Sequence, residues 1–489
     1  MNKINAERNL SMLMDFYELT MANGYFVNGL EDQEVIFDMF YRKNPDNGGV
    51  VVSAGLQQLI ETIQDLHFTS EDIDYLRTKG CFDERFLDTL KDYRFTGSVY
   101  AVPEGTLVYP NTPIVTVKAK IIDAQLIETM LLLTINHQSL IATKASRIVR
   151  AAKERPVMEF GARRAHGYDA AHYGARAAYI GGVSATATTS ADEDFGVPAI
   201  GTMAHSWIQL FDSEFEAFTA YADAYPDNCS LLIDTYDVLK SGLPNAIKVA
   251  KEILEPKGKR LAGVRIDSGD LAYLSKECRR MLDDAFMSDC KIIASNSIDE
   301  FLIRSLDAQG AKIDSFGIGE RLITSKSDPV FGGVYKLVAV KKGETWIPRI
   351  KKSENIEKIT NPGFKKLWRL YDKDTGYARC DVLTLNDEII NETKSYFFID
   401  PEKPWAMIQS TNFKAVELQK EIFKDGELVY QLPTLEEIRS YVQDQLNNKT
   451  WIEELRFENP HKHYVNLSQK LYDVKMNLLQ AAEHGNTQE

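Results

Sequence analysis

Residues 156–211 read PVMEFGARRAHGYDAAHYGARAAYIGGVSATATTSADEDFGVPAIGTMAHSWIQLF. Within them, three apolar runs end abruptly in small, polar or charged residues: Phe160-Gly161-Ala162-Arg163-Arg164, Gly181-Gly182-Val183-Ser184 and Gly201-Thr202-Met203-Ala204-His205-Ser206. An apolar run that stops in this way, with helical sequence before the next, is the pattern of parallel strands delivering side chains to a common rim. The rhythm continues downstream. Further tips stand at Asp234-Thr235 after CSLLI, Asp267-Ser268-Gly269-Asp270 after LAGVRI, Ser295-Asn296-Ser297 after KIIA and Gly317-Ile318-Gly319 after IDSF. Amphipathic segments such as LPNAIKVAKEILE and LAYLSKECRRMLDDAF lie between them. Seven such units in a row predict an α/β fold whose centre, residues 151–336, is an irregular barrel working at the carboxyl ends of its strands.

Outside this centre the periodicity differs. Residues 1–150 predict an N-terminal α/β domain: a helix opening at DFYELTM, a strand at EVIFDMFYRK, a helix at VSAGLQQLIETIQDL, compact antiparallel structure from Phe95 to Lys118, and a long helix from about Ala124 to Ala152 that joins the domains. Residues 337–489 are β-rich and charged, then helical, and are expected to pack on the other two parts without chemistry of their own.

A chain of 489 residues, 44% of them hydrophobic, fills two or three cores. Its formal net charge of −14 argues against a nucleic-acid surface or an anionic membrane as the main partner, while leaving room for a local basic pocket. The five cysteines are scattered without CxxC spacing, which indicates neither a disulfide framework nor a zinc site and fits a reducing cytoplasm. No apolar stretch has the length of a signal sequence core or a membrane span.

The strand tips carry the chemistry. Arg265-Ile266-Asp267-Ser268-Gly269-Asp270 puts two carboxylates and an arginine at one strand end, able to hold a sugar diol or a metal-diphosphate and an anion together. Asp270 also has a plain reading as the cap of the helix opening at Leu271. Gly317-Ile318-Gly319 allows backbone N–H groups to turn toward an anion, although a glycine pair is as often only a tight turn. Arg163 and Arg164 are candidate phosphate or carboxylate clamps in an acidic chain, with ion pairing to neighbouring acids as the plainer alternative. His205 has no HxxxH or CxxH neighbour, which excludes a zinc motif; its expected place at a strand tip favours a role in a site. Asp15 reads as a charge in a first helical turn and Tyr17 as a half-buried packing residue.

Taken together and in order, DFYELTM, EFGARRAHG, GTMAHSW, RIDSGDL, ASNSIDE and FGIGERLITS resemble the nicotinate phosphoribosyltransferases of bacterial type, and the resemblance covers nearly the whole chain. It implies a type II phosphoribosyltransferase: an irregular α/β barrel, a second α/β domain drawn from the N-terminal part with C-terminal contributions, and a head-to-tail homodimer with shared sites. The implied reaction joins nicotinate to 5-phosphoribosyl 1-diphosphate, giving nicotinate mononucleotide and diphosphate in NAD salvage, with ATP as co-substrate and Mg²⁺ as cofactor.

By the same resemblance, His205 is the histidine that ATP phosphorylates. Phe160 and, from the other subunit, Tyr17 sandwich the pyridine ring, with Asp15 beside the latter. Arg163 meets the diphosphate or the nicotinate carboxylate, and Arg265 and Asp267 serve the base and ribose. Asn296, Ser297, Gly317 and Gly319 line a 5′-phosphate cradle, to which Lys336 is a further contact. Mg²⁺ is expected near Asp267, carried by the diphosphate rather than by a dedicated protein site. Ser184 stands where nicotinamide-using relatives place aspartate, so its hydroxyl is expected to face the substrate carboxylate. Such a relative, or a catalytically silent nucleotide-binding barrel, are the alternatives; joint retention of His205, Arg265 and Asp267 weighs against the silent one.

Overall fold

A computed structural model describes residues 8–353, 358–405 and 408–483. The chain divides into two compact units, one of residues 144–329 and the other of residues 1–143 together with 330–489. The division falls inside the helix Glu128–Ala152. Residues 337–489, read above as a separate region, thus belong to the same unit as the N-terminal residues.

The central unit is built on a six-stranded, all-parallel sheet curled into a half-barrel. Its strand order is Ala185–Thr186, Val157–Glu159, Ser315–Ile318, Lys291–Ala294, Gly263–Ile266 and Ser230–Leu232. Two of the helices between strands each bury one stripe and carry a side-chain cap. Leu271–Asp284 buries Leu271, Ala272, Ser275, Cys278 and Leu282, the spacing of one helical face, and the Asp270 carboxylate accepts from the Tyr273 N–H at 3.0 Å. Glu300–Ala308 repeats the pattern, with Asp299 accepting from the N–H groups of Phe301 and Leu302 and with Ile303 and Leu306 buried.

Two of the seven expected strand tips are not strand ends. The apolar run before Gly181 is the end of the helix Tyr168–Ile180, in which every residue from His172 to Ile180 is buried. A helix buried all round has no polar face, and its apolar run reads like a buried strand. The strand begins after the glycines, so Ser184 precedes it. No strand leads to His205 either. Pro198 and Gly201 interrupt that segment, which is held to the sheet by a single bridge between Ala199 and Thr186, and His205 opens the short helix His205–Gln209.

The other unit carries a seven-stranded sheet ordered Thr345–Pro348, Val334–Lys342, Glu34–Phe40, Val115–Lys120, Ser98–Ala101, Lys420–Lys424 and Glu427–Leu428, and all its pairings are antiparallel. C-terminal strands complete a sheet begun by N-terminal ones. A four-stranded sheet (Phe413–Glu417, Lys365–Asp372, Ala378–Leu385, Val465–Leu467) holds a fully buried charge cluster. Arg369 pairs with both oxygens of Asp381 at 2.7 and 2.9 Å. His463 stands between Asp381 (3.3 Å) and Glu454 (3.2 Å), with the ring of Tyr109 stacked on it at 3.7 Å. Burial lowers the pKa of His463, but a carboxylate on each ring nitrogen outweighs it, so the pKa is raised and the protonated ring favoured.

Candidate functional site

The carboxyl ends of the parallel strands bring the chemistry together because each apolar strand stops at the same level of the half-barrel. Phe160 follows Val157–Glu159, and its N–H donates to the Ile318 carbonyl of the neighbouring strand at 2.8 Å. Its ring lies over Gly317: a Cβ on Gly317 would stand 2.6 and 2.7 Å from ring carbons Cδ2 and Cε2. Gly317 therefore clears space for the ring. Gly319 follows just past the end of that strand, where an added Cβ would meet the Phe160 carbonyl oxygen at 3.2 Å.

Arg265 points its guanidinium at the segment that replaces the missing strand. Nη1 donates to Thr202 Oγ1 at 2.9 Å and Nη2 to the Met203 carbonyl at 3.1 Å, while Nε is buried with no hydrogen-bond partner among the described residues. Burial lowers the pKa of this arginine, Asp267 and Asp234 work in the other direction, and the positive charge of Arg163 adds to the lowering. Arg163 itself is exposed, in the turn Ala162–Arg164. The two arginines thus raise the local positive potential at one edge of the rim.

Two carboxylates oppose them. Asp267 accepts a short hydrogen bond from Ser295 Oγ, tying adjacent strand ends together. Asp234, which the motif reading did not assign, accepts from the Asp267 N–H at 3.0 Å and from Ser268 Oγ at 2.6 Å, all through Oδ2. Its Oδ1 is buried and has no partner among the described residues. The sequence signal was present in the acid that ends the apolar run CSLLI. His205 approaches the same strand end, with Nδ1 3.1 Å from Thr235 Oγ1. Asn296 and Ser297 have φ of 89° and 50°, a left-handed pair that L-residues adopt at a cost and that turns successive N–H groups to one side. Asp270 is the helix cap described above.

Behind the rim lies a cavity of about 500 Å³ lined by Phe160, Ser184, Thr202, Ser230 and Arg265 among others. Ser184 reaches it with its hydroxyl proton already given to the Val157 carbonyl at 2.9 Å. In this geometry the cations that line the cavity, Arg265 and Lys291, are what it offers a carboxylate. Among the described residues, no three or more His, Cys, Asp or Glu gather to hold a metal ion.

Three expected site residues belong to the other unit. Asp15 stands at the N-cap position of the helix Phe16–Val27 without a capping bond from its side chain, and Tyr17 lies in the first turn, 43% exposed, its pKa raised by burial and by Glu128. Lys336, on the strand Val334–Lys342, donates to its own residue's neighbour, the Tyr335 carbonyl, at 2.7 Å; burial lowers its pKa.

Three family models match: the nicotinate phosphoribosyltransferase N-terminal domain over residues 12–136, the family's own model over 156–369 and its C-terminal domain over 364–475. A nicotinate phosphoribosyltransferase of Bacillus subtilis is 44% identical over 469 residues, covering 96% of this chain and 94% of that protein.

The chain belongs to the nicotinate phosphoribosyltransferase family.

A family member from Caenorhabditis elegans is 34% identical over 94% of this chain and 92% of its own length. The crystal structure of human nicotinic acid phosphoribosyltransferase superposes with a TM-score of 0.84 at 29% identity, covering 96% of this chain and all of that one. In this nicotinate phosphoribosyltransferase scaffold, no helix of the described residues is long and apolar enough to cross a membrane.

Proposed function

We propose that the protein transfers the 5-phosphoribosyl group to nicotinate, in NAD salvage. The observation that carries this reading is the pair of buried atoms at the rim without a partner among the described residues, the Arg265 Nε donor and the Asp234 Oδ1 acceptor, each of which a bound substrate would satisfy. The pyridine nitrogen attacks the anomeric carbon of 5-phosphoribosyl 1-diphosphate, the bond from that carbon to the diphosphate oxygen breaks, and the diphosphate leaves with its electron pair. The transition state is oxocarbenium-like, so catalysis rests on holding a weak nucleophile in line.

Phe160 supplies the plate on which the ring stacks. Arg265 takes the nicotinate carboxylate, with Arg163 adding positive potential for the anionic co-substrate. Asp267 and Asp234 face the ribose hydroxyls, and the left-handed turn at Asn296 and Ser297 offers its N–H groups to the 5′-phosphate. Gly317 makes room for the ring beside that turn. The carboxylates also fit Mg²⁺ brought in on the diphosphate, where it would neutralise the leaving group. ATP assistance is assigned to phosphorylation of His205. Tyr17 completes the ring sandwich from a second copy of the chain, a reading supported by the exposed Leu13, Phe16, Tyr17 and Met21 in and just before one helix. Five free cysteines suit a reducing cytoplasm.

Mononucleotide formation, measured with nicotinate and nicotinamide in parallel and with and without ATP, tests the reading. Product from nicotinate, enhanced by ATP, supports it; product from neither pyridine refutes it. An acid-labile label from γ-labelled ATP that vanishes in His205→Ala supports the phosphohistidine, and a label that persists in that variant removes it.

A further inference from the structure

The Glu159 carboxylate is fully buried at the end of its strand, and among the described residues no cation pairs with it. Hydrogen bonds alone hold it. One oxygen accepts a very short bond from the Gly161 N–H, and the other accepts from Thr186 Oγ1 at 2.6 Å. The Thr186 hydroxyl in turn accepts from the Thr188 N–H at 3.0 Å, and the Glu159 carbonyl takes the Ala187 N–H at 2.8 Å. One side chain thus joins the loop that leaves its own strand to the loop that leaves the next. Burying a carboxylate without a counter-charge is expensive, and a stable turn alone does not require one. Burial accordingly raises the Glu159 pKa, against the hydrogen bonds that lower it.

What the carboxylate fixes is the pair of residues on which the site depends. Phe160 lies between Glu159 and Gly161, both ends of the hydrogen-bonded loop. Its ring is confined above Gly317, and Gly161 is confined as well: a Cβ there would meet Ile323 Cβ at 2.5 Å and Glu159 Oε1 at 2.7 Å. The turn that presents Arg163 starts at the same Gly161, whose carbonyl accepts from the Arg164 N–H at 2.8 Å.

We infer that Glu159 is a positioning residue for pyridine binding, acting through Phe160 by clamping the Gly161 N–H to the Thr186 hydroxyl. The inference rests on the reading of Phe160 as the stacking plate. Glutamine at 159 has one acceptor oxygen in place of two, so it can keep the bond to Gly161 or the bond to Thr186 Oγ1, not both as they stand.

The test compares wild type, Glu159→Gln, Phe160→Ala, their double variant and Thr186→Val by initial rates against each substrate and by thermal melting. In Glu159→Gln the KM for nicotinate should rise about tenfold, with the KM for 5-phosphoribosyl 1-diphosphate within about twofold and the melting temperature within a few degrees. The double variant should be no worse than Phe160→Ala, because the plate that Glu159 aims is already gone. Effects of Glu159→Gln and Phe160→Ala that multiply, or a lowered melting temperature with both KM values unchanged, would overturn the inference. Thr186→Val keeps the carboxylate and removes one donor; it carries the test should Glu159→Gln not fold, with a nicotinate KM raised about threefold expected and an unchanged one refuting. A wild type that makes no mononucleotide at all would sink the functional reading, and the inference with it.

Discussion

Alanine at position 317 is the smallest change that strikes the plate without touching its own side chain. The new methyl carbon would stand 2.6 Å from Phe160 Cδ2 and 2.7 Å from Cε2, and 3.5 Å from Ser295 Cβ, so ordinary contact at 3.4 Å demands that the ring withdraw by about 0.8 Å. Gly317 has no positive φ, so backbone conformation adds nothing to the cost. Overpacking of this kind costs roughly 1–3 kcal/mol, and the ring is not free to retreat because its neighbours are held by Glu159. A displaced plate loses much of an aromatic stacking contribution of about 0.5–1.5 kcal/mol, which corresponds to a rise of roughly 2- to 12-fold in the KM for nicotinate. Initial rates at saturating 5-phosphoribosyl 1-diphosphate measure the KM, and thermal melting measures the strain. In a Phe160→Ala background the added methyl meets no ring, so Gly317→Ala should then leave the melting temperature unchanged. A Gly317→Ala protein with wild-type nicotinate KM would refute the placement of the plate, and a melting loss that persists without the ring would refute the clash.

Three further outcomes are expected. Glu18 folds with its carboxyl raised from 4.5 to about 7, chiefly by burial, so the native chain holds a proton that the unfolded chain releases and stability falls as pH rises through that window; the melting temperature of Glu18→Gln relative to wild type should climb between about pH 5 and pH 8, and a difference independent of pH would refute the assignment. His463→Leu leaves Asp381 and Glu454 buried without their shared cation and should cost about 3–5 kcal/mol by denaturant unfolding. Because the pKa of His463 is raised, the stability it contributes is complete below the unfolded value of about 6.5 and fades as pH rises through the folded one, so an unchanged cost across that range would contradict its protonation. Ser184→Asp sets an anion in the cavity that Arg265 lines and should lower the nicotinate-over-nicotinamide ratio of kcat/KM by at least about tenfold in parallel assays; an unchanged ratio would leave selectivity to the arginines.

Much of the central unit was legible because its strands are short apolar runs that stop at Asp234, Asp267, Ser295 and the Gly317-Ile318-Gly319 turn, the helices after Asp267 and Ser295 opening on caps of their own, Asp270 and Asp299. Periodicity failed where it carries no information. His172–Ile180 is buried throughout, so the end of its helix passes for a strand, and the segment before His205 reads like one although Pro198 and Gly201 limit it to one bridge. The task of Gly317 was hidden for a different reason: glycine signals only that a side chain would not fit, and the neighbour that excludes one, Phe160, is 157 positions earlier in the chain. The cluster of Arg369, Asp381, Glu454 and His463 joins residues too far apart in sequence for any local pattern to link them.

The pairing of Ser98–Ala101 with Lys420–Lys424 bears on how the chain is made. During synthesis the strand Ser98–Ala101 emerges some three hundred residues before the partner that covers its edge, while everything needed for the half-barrel, 144–329, is already outside the ribosome. The inserted unit can therefore close first, and the discontinuous one waits with an open sheet edge for the last part of the chain. A ribosome that stalls, or a message cut short before codon 420, would release a chain with its half-barrel residues complete and an unsealed β-sheet, a species fit for aggregation or for capture by chaperones.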